Sequence, residues 1–466
     1  MNQPPTQAQL ENNIRRFVLF RLLYSARFYY PVFTVLFLDY GLTLEQFSIL
    51  NLVWALSIVI AEVPSGALAD LIGRKKLIVY AAGLMVVELA LIAFVPMGAS
   101  ALLFWMFFGN RVCSGLSEAA ASGADEALAF DSLKLLGRED EWSRILERTG
   151  HVVSIGFFIT MIIGAFAYDP AMVNGMLAAI NPTWELSAET IIRLPVILTL
   201  ITAIIVFFNT LGMKDIETTK HQEGGVDTLI AANGMDAVLS SFRQILRAAR
   251  WTVNHRFVLF VILAALALDS VARQFVVLAS EYYRIIGIPV SWFGFIGAGM
   301  ALFGIVSARV SRMLVERQTP LQNFLLLSGI LLVGLFGIAL VVPVVGVFFA
   351  IGAFAMMGMV QFQASYYLNR EADSSMRATI LSFKGLALNL GLGIASLFYT
   401  VLAASLREVQ QSGAISEELL EDEVYADALW AFPFYYLVLC VALVIAARSL
   451  VGDYSVFMRL RARRKD

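Results

Sequence analysis

Long apolar runs alternate with short polar breaks along the chain from residue 14 to residue 451. Most runs are about 20 residues long, the length a helix needs to cross the hydrocarbon core of a bilayer. Read this way, the pattern predicts twelve spanning helices. Six fall at 14–38, 45–65, 77–96, 101–122, 150–168 and 190–211; six more fall at 257–282, 290–312, 321–342, 344–368, 380–405 and 428–451. The one long polar stretch, 213–255, separates an N-terminal bundle (1–212) from a C-terminal bundle with a basic tail (256–466). Within that central loop, SFRQILRAARWTVNHR has the spacing of a basic amphipathic helix lying along the membrane surface.

Composition agrees with a polytopic, all-α membrane protein. Of 466 residues, 59% are hydrophobic and 15% charged, and the mean hydropathy is +0.76; a water-soluble chain of this length carries more charge. The two cysteines, Cys113 and Cys440, lie inside apolar runs, and the three histidines have no ligand spacing, so neither a disulfide framework nor a metal site is expected. The polar N-terminus has no cationic region before an apolar core, so no cleaved signal peptide is expected. Most of the 34 lysines and arginines fall at the two ends, in the central loop and in the even-numbered turns, as with Arg74, Lys75 and Lys76 after the second span. The opposite loops, including EELLEDEVYAD, are nearly free of cations. The positive-inside rule then places both termini and the central loop in the cytoplasm.

An internal repeat is legible at an offset of 246 residues. GLTLEQFSILNL from Gly41 resembles GIPVSWFGFIGA from Gly287, with Phe47 falling on Phe293, Asp70 on Glu316 and Asp125 on Glu371. Two six-helix bundles in the same orientation, pseudo-symmetric around a central cavity, account for it. The same offset pairs Arg27 with Arg273, predicted to face each other across that cavity.

The turn after the second span reads EVPSGALADLIGRKK. Gly66, Leu68, Asp70, Gly73, Arg74, Lys75 and Lys76 match the signature G-x-L-a-D-x-x-G-R-[KR]-[KR] at the position it occupies in the major facilitator superfamily, and the chain resembles that family over nearly its whole length. The resemblance implies the twelve-helix major facilitator fold, a bacterial-type multi-pass protein of the plasma (inner) membrane, and secondary active transport by alternating access rather than an enzymatic activity. It also implies a conformational latch at Gly66, Asp70, Gly73, Arg74 and Lys75. Glycine at 66 would admit a neighbouring helix closely, glycine at 73 a tight turn, and Asp70 and Arg74 the charged hydrogen bonds of a latch. Arg111-Val-Cys-Ser-Gly115 resembles the R-x-x-x-G core of a family motif tied to proton coupling. The helix 5 motif of drug–proton antiporters and the sugar-porter signature are absent from the sequence.

An ionised group in a membrane span costs roughly 2.5–3.5 kcal/mol on insertion scales, so each such residue is a candidate for function. Arg27, Arg273 and Arg111, with Tyr24 and Tyr30 beside Arg27, are the candidates for substrate contact. Paired guanidinium groups bind a carboxylate or phosphate well. Internal neutralisation, of Arg273 by Asp269 four residues away and of Arg27 by an acid such as Glu118, is the competing expectation. Glu118 and Asp269 are the candidates for proton coupling; Glu88 is expected to be structural. No ATP-binding motif is present, so a gradient would supply the energy. The leading expectation is proton-coupled export of an organic anion or drug-like molecule by a monomer. The partners would be a small-molecule substrate, protons and the bilayer, with no nucleic acid and no cofactor. Uptake or exchange of an anionic metabolite, or a non-transporting receptor on the same fold, are the alternatives.

Overall fold

The computed structural model of the chain describes residues 5–216, 234–371, 377–410 and 417–451. Among them the regular structure is helical. The helices are α1 (Gln7–Tyr24), α2 (Phe33–Tyr40), α3 (Leu44–Ile72), α4 (Arg74–Ala93), α5 (Ala101–Ala121), α6 (Ala124–Leu135), α7 (Trp142–Tyr168) and α8 (Pro170–Ile180). They continue as α9 (Ala188–Leu211), α10 (Gly234–Asn254), α11 (Arg256–Ile285), α12 (Val290–Arg317), α13 (Pro320–Ala339), α14 (Gly346–Glu371), α15 (Arg377–Gln410) and α16 (Glu417–Val451). Nine stretches among the described residues are long and apolar enough to cross a membrane.

The first predicted span, 14–38, is not one helix. It breaks after Tyr24, passes through a 3-10 turn at Tyr30–Val32, and resumes as α2. Pro31 has no N–H and cannot continue an α-helix through this stretch, and α1 already ends at Tyr24. The Phe28 N–H freed by the break donates to Thr199 Oγ1 of α9 at 3.0 Å. At offset 246 the counterpart of Pro31 is Val277, and α11 runs through that position without interruption. The two members of the repeat therefore differ in backbone where Arg27 and Arg273 sit.

The second departure concerns the signature stretch. The sequence places a turn from Glu62 onward, but α3 continues to Ile72 through Pro64, and the turn is reduced to Gly73. Ser65 Oγ donates to the Glu62 carbonyl at 2.8 Å; the carbonyl that Pro64 leaves without its helical donor is that of Ile60. Gly73 has φ +96° and ψ 142°, a conformation open to glycine and almost nothing else. Gly66 behaves otherwise: no described atom lies within 4 Å of where its Cβ would be. Gly73→Ala is expected to lose about 1–3 kcal/mol, while Gly66→Ala melts at or above the wild-type temperature; thermal unfolding in detergent reads both.

The described helices cluster into two compact units, Met1–Pro31 with Leu56–Arg243 and Val32–Ala55 with Gln244–Asp466. In the first, Phe20 of α1, Ala81 and Ala82 of α4, Ala120 and Ala121 of α5 and Val206 of α9 share one buried cluster; the small residues let the backbones approach closely. In the second, α11 is the central helix: 72% of its most apolar window is buried, against 33–50% for the neighbouring spans of that unit from α13 to α16. Thr34 Oγ1 donates to the Val277 carbonyl and Ser280 Oγ accepts from the Thr34 N–H, tying α2 to α11 within this unit. The amphipathic helix predicted in the central loop is α10. Leu239, Phe242, Leu246 and Val253 form its exposed apolar stripe, flanked by Arg243, Arg247 and Arg250.

Candidate functional site

In the first unit the break between α1 and α2 sets the geometry. Arg27 lies in it, 7% exposed, and donates to Glu88 of α4, whose side chain is fully buried. Asn110 Nδ2 of α5 donates to the Glu88 carbonyl at 2.7 Å. The Arg27 guanidinium lies 5.4 Å from the Tyr24 ring centroid, a cation–π distance, and Tyr24 OH shares a 2.7 Å hydrogen bond with Ser117 Oγ. Of the acids in this unit, the partner of Arg27 is Glu88 rather than Glu118. Tyr29 and Tyr30 meet edge to face, with Tyr29 buried and Tyr30 43% exposed. Arg111 and Glu118, expected on one face of α5, differ in environment: Arg111 is buried and Glu118 exposed. Glu62 of α3, a residue the sequence reading did not single out, lies within electrostatic reach of Glu118.

The signature residues belong to a second cluster of this unit. Arg74 donates to Asp131 of α6 and to the Ala127 carbonyl, the latter at 3.0 Å. Lys75 is half-buried and Lys76 exposed; the side chain of Asp70 lies outside the described residues. Nearby, Asp125 at the start of α6 is buried and accepts from Arg21 at 3.3 Å. Burial pushes the Asp125 carboxyl above the usual carboxylate range, and the Arg21 charge pulls against that shift.

In the second unit, three helices converge on one polar network inside an apolar bundle. Asp269 and Arg273 of α11 form the expected i,i+4 ion pair at 2.6 Å, the carboxylate fully buried and the guanidinium 19% exposed. Arg273 Nη1 also donates to Asn389 Oδ1 of α15 at 3.1 Å. Gln361 of α14 donates from Nε2 to Asp269 Oδ1 at 3.1 Å and accepts from Lys384 Nζ of α15 at 3.4 Å. Lys384 Nζ also donates to Ser365 Oγ of α14 at 2.8 Å. The sequence reading missed Lys384, Gln361 and Asn389. The signal for Lys384 was present, a lone lysine in the run SFKGLALNL, but near the start of a span beginning at 380 it reads as an interfacial cation; α15 begins three residues earlier, at Arg377.

At the other end of this unit, ionic contacts hold Val32–Ala55 in place. Arg284 of α11 donates to Asp39 at 2.9 Å and to Glu281 at 2.8 Å, with Asp422 at 4.0 Å. Arg407 of α15 bridges Glu45 of α3, at 2.7 Å, and Glu421 of α16. Among the described residues no grouping of histidine, cysteine or acidic side chains is arranged to hold a metal.

The sequence model of the Major Facilitator Superfamily matches residues 17–396. No curated protein sequence matches the chain. Solved structures do. The chain is similar to a bacterial homologue of the human lysosomal transporter Spinster, with a TM-score of 0.66 and 15% identity over 97% of this chain and 99% of that one. It is also similar to the nucleoside transporter NupG (TM-score 0.63, 12% identity, 94% of this chain and 98% of that one). A third likeness is to a D-xylose–proton symporter (0.58, 12%, 92% and 96%). At these identities the likeness is one of fold.

Proposed function

The chain belongs to the major facilitator superfamily, a family of multi-pass membrane transporters, and from that premise we propose that it takes up an anionic solute together with protons, the alternative to the export expected first. The observation that carries the coupling is the Asp269–Arg273 pair: a fully buried carboxylate whose cation is partly exposed and is also held by Asn389. A carboxylate that loses its cation in a poorly hydrated site sheds its charge by taking a proton. Solute drawn to Arg273 thus frees Asp269 to load one, and departure of the proton restores the pair. Glu118, exposed and within reach of Glu62, is the second coupling carboxyl in this reading. Arg27, Arg111, Tyr24 and Tyr30 are the solute contacts of the first unit in this reading, with Arg27 available to solute only if it exchanges Glu88 for it.

The latch follows from the same scheme. Arg74, docked on Asp131, is positioned by α6, and Asp70, Gly73 and Lys75 complete the polar end that engages and releases as access alternates. Both termini face the cytoplasm of a bacterial inner membrane. The test uses right-side-out membrane vesicles in weakly buffered medium whose pH is reported by a dye. Organic anions and lipophilic cations are added in turn. A transported solute should take protons in with it and alkalinise the medium in wild type, and leave the pH unchanged with Asp269→Asn. A pH that every solute leaves untouched, while the same solutes are shown to cross by isotope flux, would remove proton coupling from the account.

A further inference from the structure

The polar network of the second unit carries an unbalanced charge. It contains three ionised side chains, Asp269, Arg273 and Lys384, on two helices, with neutral Gln361, Ser365 and Asn389 between them. Asp269 and Arg273 neutralise each other, and the Arg273 fork is occupied at both ends, Nη2 on the carboxylate and Nη1 on Asn389. Lys384 is held differently. Its ammonium donates to two neutral oxygens, one of them at the long distance of 3.4 Å, and among the described residues it makes no ion pair. Its side chain is partly exposed, whereas Asp269 is sealed.

We propose that Lys384 is the anion-binding cation of the C-terminal bundle, taking a carboxylate or phosphate group of the solute on its ammonium beside Ser365 and Gln361. This rests on the carrier reading and deepens it by naming the cation that receives the anion. A lysine ammonium is a compact point charge with three donors on a flexible stem, suited to an oxygen anion that must bind and leave. Removing it from water is costly and the Asp269 charge within its reach is already paired with Arg273, so an arriving anion gains both the attraction and relief of that cost. Arg273 offers less, because an anion must first displace Asp269 or Asn389 to reach its donors. Gln361 connects the two events, since the amide that accepts from Lys384 is the one that donates to Asp269. Solute drawing Lys384 away therefore acts directly on the coupling carboxylate's partner.

The test needs neither a known substrate nor flux, so it fails independently of the transport reading. The purified full chain in detergent is treated with pyridoxal 5′-phosphate, an anionic aldehyde, or with uncharged pyridoxal. The lysine amine adds to the aldehyde carbon, water leaves, and added borohydride delivers hydride to the imine, fixing the label as a secondary amine. Labelled lysines are then mapped by mass spectrometry, with exposed Lys76 as the internal reference. Relative to Lys76, the phosphorylated probe should label Lys384 about tenfold faster than pyridoxal does, a factor worth ~1.4 kcal/mol. Inorganic phosphate or succinate should protect Lys384 and leave Lys76 reactive, and the better protector identifies which anion the site prefers. Equal labelling by the two probes, no labelling of Lys384, or protection that is the same at both lysines would overturn the assignment. As a second arm, anions that raise the melting temperature of wild type should do so with Lys384→Arg and fail with Lys384→Gln. Stabilisation that survives Lys384→Gln unchanged counts against it.

Discussion

Glu88→Ala should cost about 3–5 kcal/mol of stability, the range observed when one partner of a buried ion pair is removed. The reason is local. The first span is interrupted after Tyr24, the break carries Arg27 into the interior of the first unit, and among the described residues the anion accepting its hydrogen bond is Glu88, itself fully buried. Without Glu88 an arginine that is 7% exposed keeps its charge with no counter-ion. Arg27→Ala leaves the opposite problem, a buried carboxylate, and is expected to lose a similar amount. The double variant should lose less than the sum, because each single change pays for the charge the other leaves behind. Thermal unfolding of the four proteins in detergent gives the cycle. If Glu88→Ala melts with wild type while Arg27→Ala alone abolishes flux, Arg27 serves the solute and its pairing with Glu88 is incidental.

The second large effect is expected at Arg407. Its guanidinium lies between Glu45 and Glu421, with all three side chains only 14–16% exposed. Arg407→Ala leaves two carboxylates facing one another across the space it filled and removes hydrogen bonds to charged groups worth about 1.5–3 kcal/mol each. A loss of about 3 kcal/mol is expected, along with looser attachment of Val32–Ala55 to α15 and α16. Arg407→Lys should recover only part, since an ammonium cannot bond both carboxylates with a planar fork. Unfolding measurements give the energy. Protection of the Val32–Ala55 amides from hydrogen exchange should fall in Arg407→Ala and be unchanged in a distant control such as Arg193→Ala. Equal protection in all three proteins would show that Val32–Ala55 is held by packing and by Thr34, not by the arginine.

Much of the architecture is written in the sequence because the bilayer demands it. A spanning segment must satisfy its own backbone, so apolar runs of helical length are close to a direct record of the helices. What the runs conceal is interruption inside them. SARFYYPVF is apolar enough to read as helix throughout, yet α1 ends at Tyr24, and that break decides what Arg27 touches. The signature stretch shows the reverse: its proline, glycine and aspartate read as a turn, but membrane helices tolerate proline, and α3 continues to Ile72. The Asp269–Arg273 pair was legible because i,i+4 spacing alone brings two side chains together on a helix. Gln361, Lys384 and Asn389 were not, since their meeting with α11 depends on how three helices pack, which has no period to read. The partner of Glu88 was not legible either: the broken span opposite, and not its own helix, brings Arg27 against it.

The central claim is that Asp269 couples the carrier to protons, and one comparison in proteoliposomes tests it most directly. With the solute identified by the vesicle screen, two quantities are measured for wild type and Asp269→Asn: accumulation driven by an imposed pH gradient, and exchange of labelled for unlabelled solute with no gradient. Wild type should do both. Asp269→Asn should exchange at a rate near wild type and fail to accumulate, because alternation with solute bound survives while the proton step does not. Loss of both in equal measure, or accumulation as strong as in wild type, would contradict the account.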